Sequence, residues 1–175
     1  MFYAKSTGGF YTTEIHGDNI PSDAVVITEA THQSLLAGQS SGQVISADAT
    51  GKPILVSFAS LMTLDQTKVT QIATLTNAYN NAIQQPINYM STTFQADSAS
   101  QDTLNKVLVA LSGTVPTGFY WMDSTNNKVS MTFAQLQGLA GAMMAQGWTA
   151  FQHLQAQKSL VNAATTATAV SAINW

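Results

Sequence analysis

The sequence predicts an α+β fold: a small β-rich module, then a linking helix, then a helix–hairpin–long-helix domain. Three observations predict it. Within residues 1–60 the apolar and aromatic residues fall in short runs, such as Phe2-Tyr3-Ala4 and Ala24-Val25-Val26-Ile27, separated by Gly, Pro, Ser and Asp, the make-up of short strands joined by turns. From Leu64 to about Gln85 they recur instead at spacings of three and four, the period of a helix. After Thr132, with Gln135 three residues on, the same period continues to about Asn162, and Thr-x-x-Gln is a helix-start signature. The 175 residues suffice for one domain or two small ones. The shifts in pattern place boundaries at 1–60, 61–93 and 94–175.

In the first module, Phe2-Tyr3-Ala4 and Phe10-Tyr11-Thr12-Thr13 flank Ser6-Thr7-Gly8-Gly9, a hairpin with aromatics on both arms. Ala24–Ile27 is a further strand, and Thr28 caps a short helix from Glu29 to Ala37 that Gly38 ends in the left-handed conformation. Val44–Ala47 and Pro53–Val56 form a second hairpin about Asp48-Ala49-Thr50-Gly51. In the linking helix, Val69, Ile72, Thr76, Tyr79 and Ile83 make a narrow seam among Gln, Asn and Thr. Such a seam packs on its own domain or pairs with a second copy, so self-association through 64–85 is an expectation. Pro86 stops this helix.

Residues 94–112 read as another helix, capped by Asp97 or Ser98, with Leu104, Val107, Leu108 and Leu111 as its buried stripe. Gly118–Met122 and Lys128–Met131 form an aromatic hairpin about Asp123-Ser124-Thr125-Asn126-Asn127. The long helix that follows carries Phe133, Leu136, Ala140, Met143, Gly147, Leu154 and Val161 on one face. Met144, Trp148 and Phe151 lie about a quarter-turn round from it. That flank is either core or a protein-binding surface, where polarizable Met and large aromatics grip a partner. Thr166 caps a last helical turn, and Trp175 is expected to pack back on the domain.

Composition narrows the function. Charged residues are 9% of the chain, against about 25% in ordinary soluble domains. There is no arginine, and the lysines stand singly, so the basic cluster that a nucleic acid needs is missing. No cysteine is present. Met1–Lys5 lacks the charged-then-apolar layout of a signal peptide, and no apolar run is long enough to insert in a membrane, so a cytoplasmic chain is expected. Gly38-Gln39-Ser40-Ser41-Gly42 matches Gly-x-Ser-x-Gly, but that motif works only between a strand and a helix, whereas here a helix precedes and a strand follows. His16, His32 and His153 lack metal-ligand spacing. His153 reads as a solvated residue, and Asp123–Asn127 lacks the spacing and glycine of a calcium loop. No catalytic residue, metal or cofactor is expected.

Tyr3-Ala4-Lys5-Ser6-Thr7-Gly8-Gly9-Phe10-Tyr11, followed by Ile15-His16-Gly17-Asp18-Asn19-Ile20-Pro21-Ser22-Asp23-Ala24, resembles the start of bacteriophage tail fibre assembly (Tfa-like) proteins. Phe94-Gln95-Ala96-Asp97, the Trp121 hairpin, Lys158, Ala163-Ala164-Thr165-Thr166 and Ile173-Asn174-Trp175 resemble an uncharacterised domain of phage and prophage proteins. The resemblance implies a non-enzymatic chaperone acting in the host bacterial cytoplasm, with the tip of a trimeric tail fibre as its partner. The alternative is a structural component retained on the virion tail that contributes to host recognition. The residues expected to bind a partner are Val69, Ile72, Tyr79, Ile83, Met144, Trp148 and Phe151.

Overall fold

Strand formers set between tight turns build the first part of the chain. A computed structural model describes residues 1–175, which divide into two units, Met1–Thr63 and Leu64–Trp175. In the first unit, β1 (Phe2–Ala4) lies between β2 (Gly9–Tyr11) and β3 (Ala24–Val26), all antiparallel. Tyr3 faces Phe10 across the hairpin with ring centroids 5.3 Å apart, the aromatic pair expected from the two arms. Gly8 takes φ +66° in the turn, which glycine adopts without a Cβ penalty. A single helical turn, α1 (Thr13–His16), leads on to β3. Ser6 donates from its backbone N–H and its hydroxyl to the Asp23 carboxylate, at 2.8 and 2.7 Å, tying the hairpin turn to the approach of β3.

Thr28 caps α2 (Glu29–Ser40) by accepting from the Thr31 N–H. The helix does not end at Gly38 as expected. A Cβ there would strike Leu55, so Gly38 serves close approach of the helix to a strand, and Gly42, at φ +86°, supplies the left-handed residue. The strand is β5 (Pro53–Val56), paired with β4 (Val44–Ala47). Their turn is organised by Asp48, whose Oδ1 accepts from the backbone of Thr50 and Lys52. Helix α2 also lays His32 against Phe10, with ring centroids 4.5 Å apart, and buries Leu35.

The second unit is built on one spine, α5 (Phe133–Ala163), 31 residues long and therefore about 46 Å. Its capping box is formed as expected: the Thr132 hydroxyl accepts from the Gln135 N–H, and Gln135 Oε1 accepts from the Thr132 N–H. Along the first half of α5, Leu136, Leu139 and Met143 bury against Phe94, Ala96, Leu104 and Met131. Phe94 belongs to a hairpin, β6 (Ile87–Tyr89) with β7 (Thr92–Phe94), and Leu104 to α4 (Ser98–Leu111). The aromatic hairpin β8 (Tyr120–Met122) and β9 (Lys128–Ser130) packs Trp121 and Val129 on the same core. Along the second half, Leu154 and Val161 bury against Leu75 of α3 (Leu64–Ala82) and Val170 of α6 (Ala167–Ser171), which Thr166 caps.

Two expectations are corrected here. Residues 61–93 are not a separate linking helix: α3 runs antiparallel to α5 inside the second unit, and Leu75, outside the seam, is its buried residue. Residue 94 does not begin a helix either, because 87–94 form the β6–β7 hairpin and α4 starts at Ser98. Asp97 is the cap of α4, accepting from the Ser100 N–H at 2.9 Å.

Glutamine amides stitch the helices of this unit together. Gln146 donates to the Ala82 and Gln85 carbonyls at 2.8 and 3.0 Å, and Gln101 donates to those of Ile83 and Ala96 at 3.0 and 2.7 Å. The Ala82, Ile83 and Gln85 carbonyls lie at and just beyond the end of α3, where the last carbonyls of a helix lack intrahelical donors, and Ala96 lies just before α4. Lys68 Nζ likewise donates to the Asn162 carbonyl at 2.8 Å, near the end of α5.

Candidate functional site

The periodicity of α5 buries a Leu136–Leu139–Met143–Ala150–Leu154–Val161 stripe, with Leu136, Leu139 and Met143 in one core and Leu154 and Val161 in the other. At about 100° per residue, Met144, Trp148 and Phe151 fall on the neighbouring flank. There they remain in solvent: Met144 is 74% exposed, Trp148 58% and Phe151 40%. The Trp148 and Phe151 rings stack on each other with centroids 5.7 Å apart and planes at 21°. The core reading of this flank does not hold, since Met143 enters the core and Met144 does not.

With Tyr79 and Gly147 these three side chains line a hollow of about 420 Å³. Met144 also lines a second hollow of about 500 Å³ between α4 and α5, with Leu104, Leu108, Ala140 and Gly141 on its walls beside Gln101, Asn105 and Gln137. Sharing Met144, the two form one shallow, uncharged band beside α5. No Asp, Glu, Lys or His lines either one. Gly141 and Gly147 deepen the band, because nothing lies within 4 Å of where their Cβ atoms would be. The sequence reading set Gly147 on the core face, whereas Leu139 and Ala150 are the buried residues there. A glycine in the interior of a helical pattern was the available signal, since it costs a helix about 1 kcal/mol relative to alanine.

The structure thus brings Tyr79, Met144, Trp148 and Phe151 together and disperses the other three expected residues. Ile72 packs against the Leu75 core, as does Tyr79 from its inner side. Ile83 is half-buried beyond the end of α3, and Val69 stands 69% exposed on α3. Ile72 and Tyr79 therefore have an intramolecular partner, and the 64–85 seam is not an unpartnered coiled-coil stripe. On the other flank of α5, His153 is not simply solvated: its ring meets Trp175 edge-on at 4.7 Å. Trp175 also approaches Tyr79 at 6.5 Å and keeps 42% of its surface exposed, so it packs back only in part.

Ser40 of the Gly-x-Ser-x-Gly match sits in the last turn of α2 and donates from its hydroxyl to the Leu36 carbonyl at 3.0 Å. That is helix self-capping, not a nucleophile raised on a strand-to-helix turn. No three His, Asp or Glu side chains converge on a common point. No helix is long and apolar enough to cross a membrane. The most perturbed carboxylate is Asp123, held down to about 2 first by the Asn127 backbone N–H it accepts and further by Thr125.

The second unit is a long helix carrying two cores, two β hairpins and an antiparallel partner helix. This class of domain has a family: residues 66–174 match the domain of unknown function DUF4376, and the chain belongs to that family. The match begins inside α3, in keeping with that helix being part of the unit. Over 55 residues, 31% of its length, the chain is 46% identical to a protein of Shigella phage SfV named probable tail fiber assembly protein. The matching stretch spans 33% of that protein's length. No solved structure matches the chain.

Proposed function

We propose that this protein takes part in assembling a phage tail fibre, binding the fibre as a chaperone and performing no chemistry on it. The similarity to the named fibre assembly protein supports the process. The observation that carries the mechanism is the neutral aromatic band beside α5, where stacked Trp148 and Phe151 stay in solvent although the same helix buries six other residues. Exposed aromatics in a rimmed hollow are the anchors from which protein interfaces draw most of their energy. A trimeric β-rich fibre presents unpaired strand edges and apolar surface until its three chains register, and such edges aggregate. A band without charge suits that partner, because no ionised group must be stripped of water when it is covered.

The test is co-expression with the neighbouring fibre gene in the host cytoplasm. The fibre's C-terminal part is expected to be recovered as a soluble trimer only when this chain is present. Trp148→Ala with Phe151→Ala should lower that yield several-fold at unchanged helix content, and Ser40→Ala should leave it alone. Equal trimer yields with and without the protein would overturn the reading. Mass spectrometry of purified particles separates a chaperone that departs from one that stays on the tail.

A further inference from the structure

A different hollow, of about 420 Å³, lies between β8 and the first two turns of α4, within the range of small-ligand pockets at about 300–1,000 Å³. Its lining is aromatic and amide-rich. Tyr120 is 44% exposed and is steadied by the Lys128 ammonium, 4.5 Å from its ring centroid. Trp121 beside it is half-buried against the core. The side-chain amides of Gln95 and Asn126 both line the hollow and make no hydrogen bond within the chain. Ser100 and Thr103 donate their hydroxyl protons to Asp97 and to the Ala99 carbonyl, so their oxygens face the hollow as acceptors.

Each class of ligand meets this lining differently. An apolar ligand would leave the two amides unpaired, and burying unsatisfied polar groups is costly. An anion would meet the Asp123 carboxylate in the lining, which holds no lysine, and Lys128 rests on the Tyr120 ring. A pyranose ring fits both demands. Its C–H face packs on an aromatic ring, and its hydroxyls each donate and accept, as the amides do. The backbone beneath the site is held before any ligand arrives: Asn126 sits at φ +65° in a turn that the Asp123 carboxylate pins through Thr125 and Asn127, so the ordering cost of binding falls on the two amide side chains and not on the main chain.

We propose that this hollow is a saccharide subsite, seating a neutral pyranose ring against Tyr120 with the Gln95 and Asn126 amides reading its hydroxyls. The site stands independently of the fibre-binding band and of the assembly role. The test titrates the full-length, ¹⁵N-labelled chain with glucose, galactose, N-acetylglucosamine and rhamnose, each to about 50 mM, enough to saturate a site with a Kd of about 1 mM. Saturable shifts are expected at the Gln95 and Asn126 side-chain amides and the Trp121 indole N–H for at least one sugar, with the Trp148 indole unmoved. Gln95→Ala changes an exposed, unbonded side chain, and Asn126→Gly keeps the left-handed backbone. Each should weaken binding at least about tenfold with the thermal midpoint unchanged. No saturable shift with any of the four sugars, or binding that survives both substitutions, would overturn the proposal.

Discussion

Glycines in α5 show how much one missing side chain decides. A Cβ on Gly138 would strike the hydroxyl and ring of Tyr89, whereas one on Gly147 would meet nothing within 4 Å. Helix propensity favours alanine at both by about 1 kcal/mol. At Gly138 that gain is opposed by overpacking worth about 1–3 kcal/mol, because Tyr89 is anchored in its hairpin against the Leu136 core. Gly138→Ala is therefore expected to lower the thermal midpoint, and Gly147→Ala to raise it through a gain in stability of about 0.5–1 kcal/mol. Gly147→Ala should also lower fibre recovery, since its methyl group fills the floor under Trp148 and Phe151. A Gly147→Ala protein that is more stable and equally active would remove that hollow from the binding face. Asp123 makes a second residue-scale prediction. Its carboxyl is lowered to about 2 from an unfolded value near 4, so the stability it adds is fully present above about pH 4 and is lost as pH falls towards 2. Asp123→Asn keeps the accepting oxygen but not the charge. The gap in thermal midpoint between wild type and this variant should close over that window, and a gap that is constant from pH 6 to pH 2 would contradict it.

At the scale of elements, the parts announced by turn and cap chemistry were legible. Gly8-Gly9, Asp48-Ala49-Thr50-Gly51 and Asp123–Asn127 each mark a hairpin that forms, and Thr28, Asp97, Thr132 and Thr166 each cap the helix they precede. The β6–β7 hairpin was not legible, and its turn explains why. Met90 and Ser91 occupy φ +52° and +60°, the geometry of a two-residue hairpin turn that normally selects Asn-Gly. A Met-Ser pair gives no such signal, and the left-handed region costs a residue with a side chain about 1–2 kcal/mol. Met90→Asn with Ser91→Gly should accordingly raise stability by about 1 kcal/mol or more, measured by urea unfolding; an unchanged midpoint would argue against strain in this turn. The candidate band was half legible. Met144, Trp148 and Phe151 follow from helical phase alone. Their neighbour Tyr79 falls by spacing in a seam on α3, because one helix's periodicity does not say which other helix will lie against it.

For the whole molecule, the decisive arrangement is α3 on α5. Read along the chain, α3 is a polar helix with a thin stripe, the look of a connector. In space Leu75 closes the core that Leu154, Val161 and Val170 leave open, and Gln146 and Lys68 tie the two helices at either end. Pairing across some 80 residues of sequence is tertiary information that local periodicity does not carry. It has a measurable consequence for where the chain can be cut. Residues 64–175 contain both cores of the second unit entire, so that piece is expected to unfold in one cooperative transition followed by circular dichroism. Residues 94–175, the boundary that sequence pattern alone suggests, lack α3 and β6 and expose Leu154, Val161 and Val170. Fully burying a Val or Leu side chain is worth about 1.5–3 kcal/mol. Uncovering three of them, and losing Leu75 with them, consumes much of the roughly 5–15 kcal/mol that holds a domain together. The shorter piece should therefore melt broadly and far lower, or aggregate, while the longer one keeps a sharp transition. Equal midpoints for the two would mean that α3 contributes nothing to the unit and that the connector reading was right.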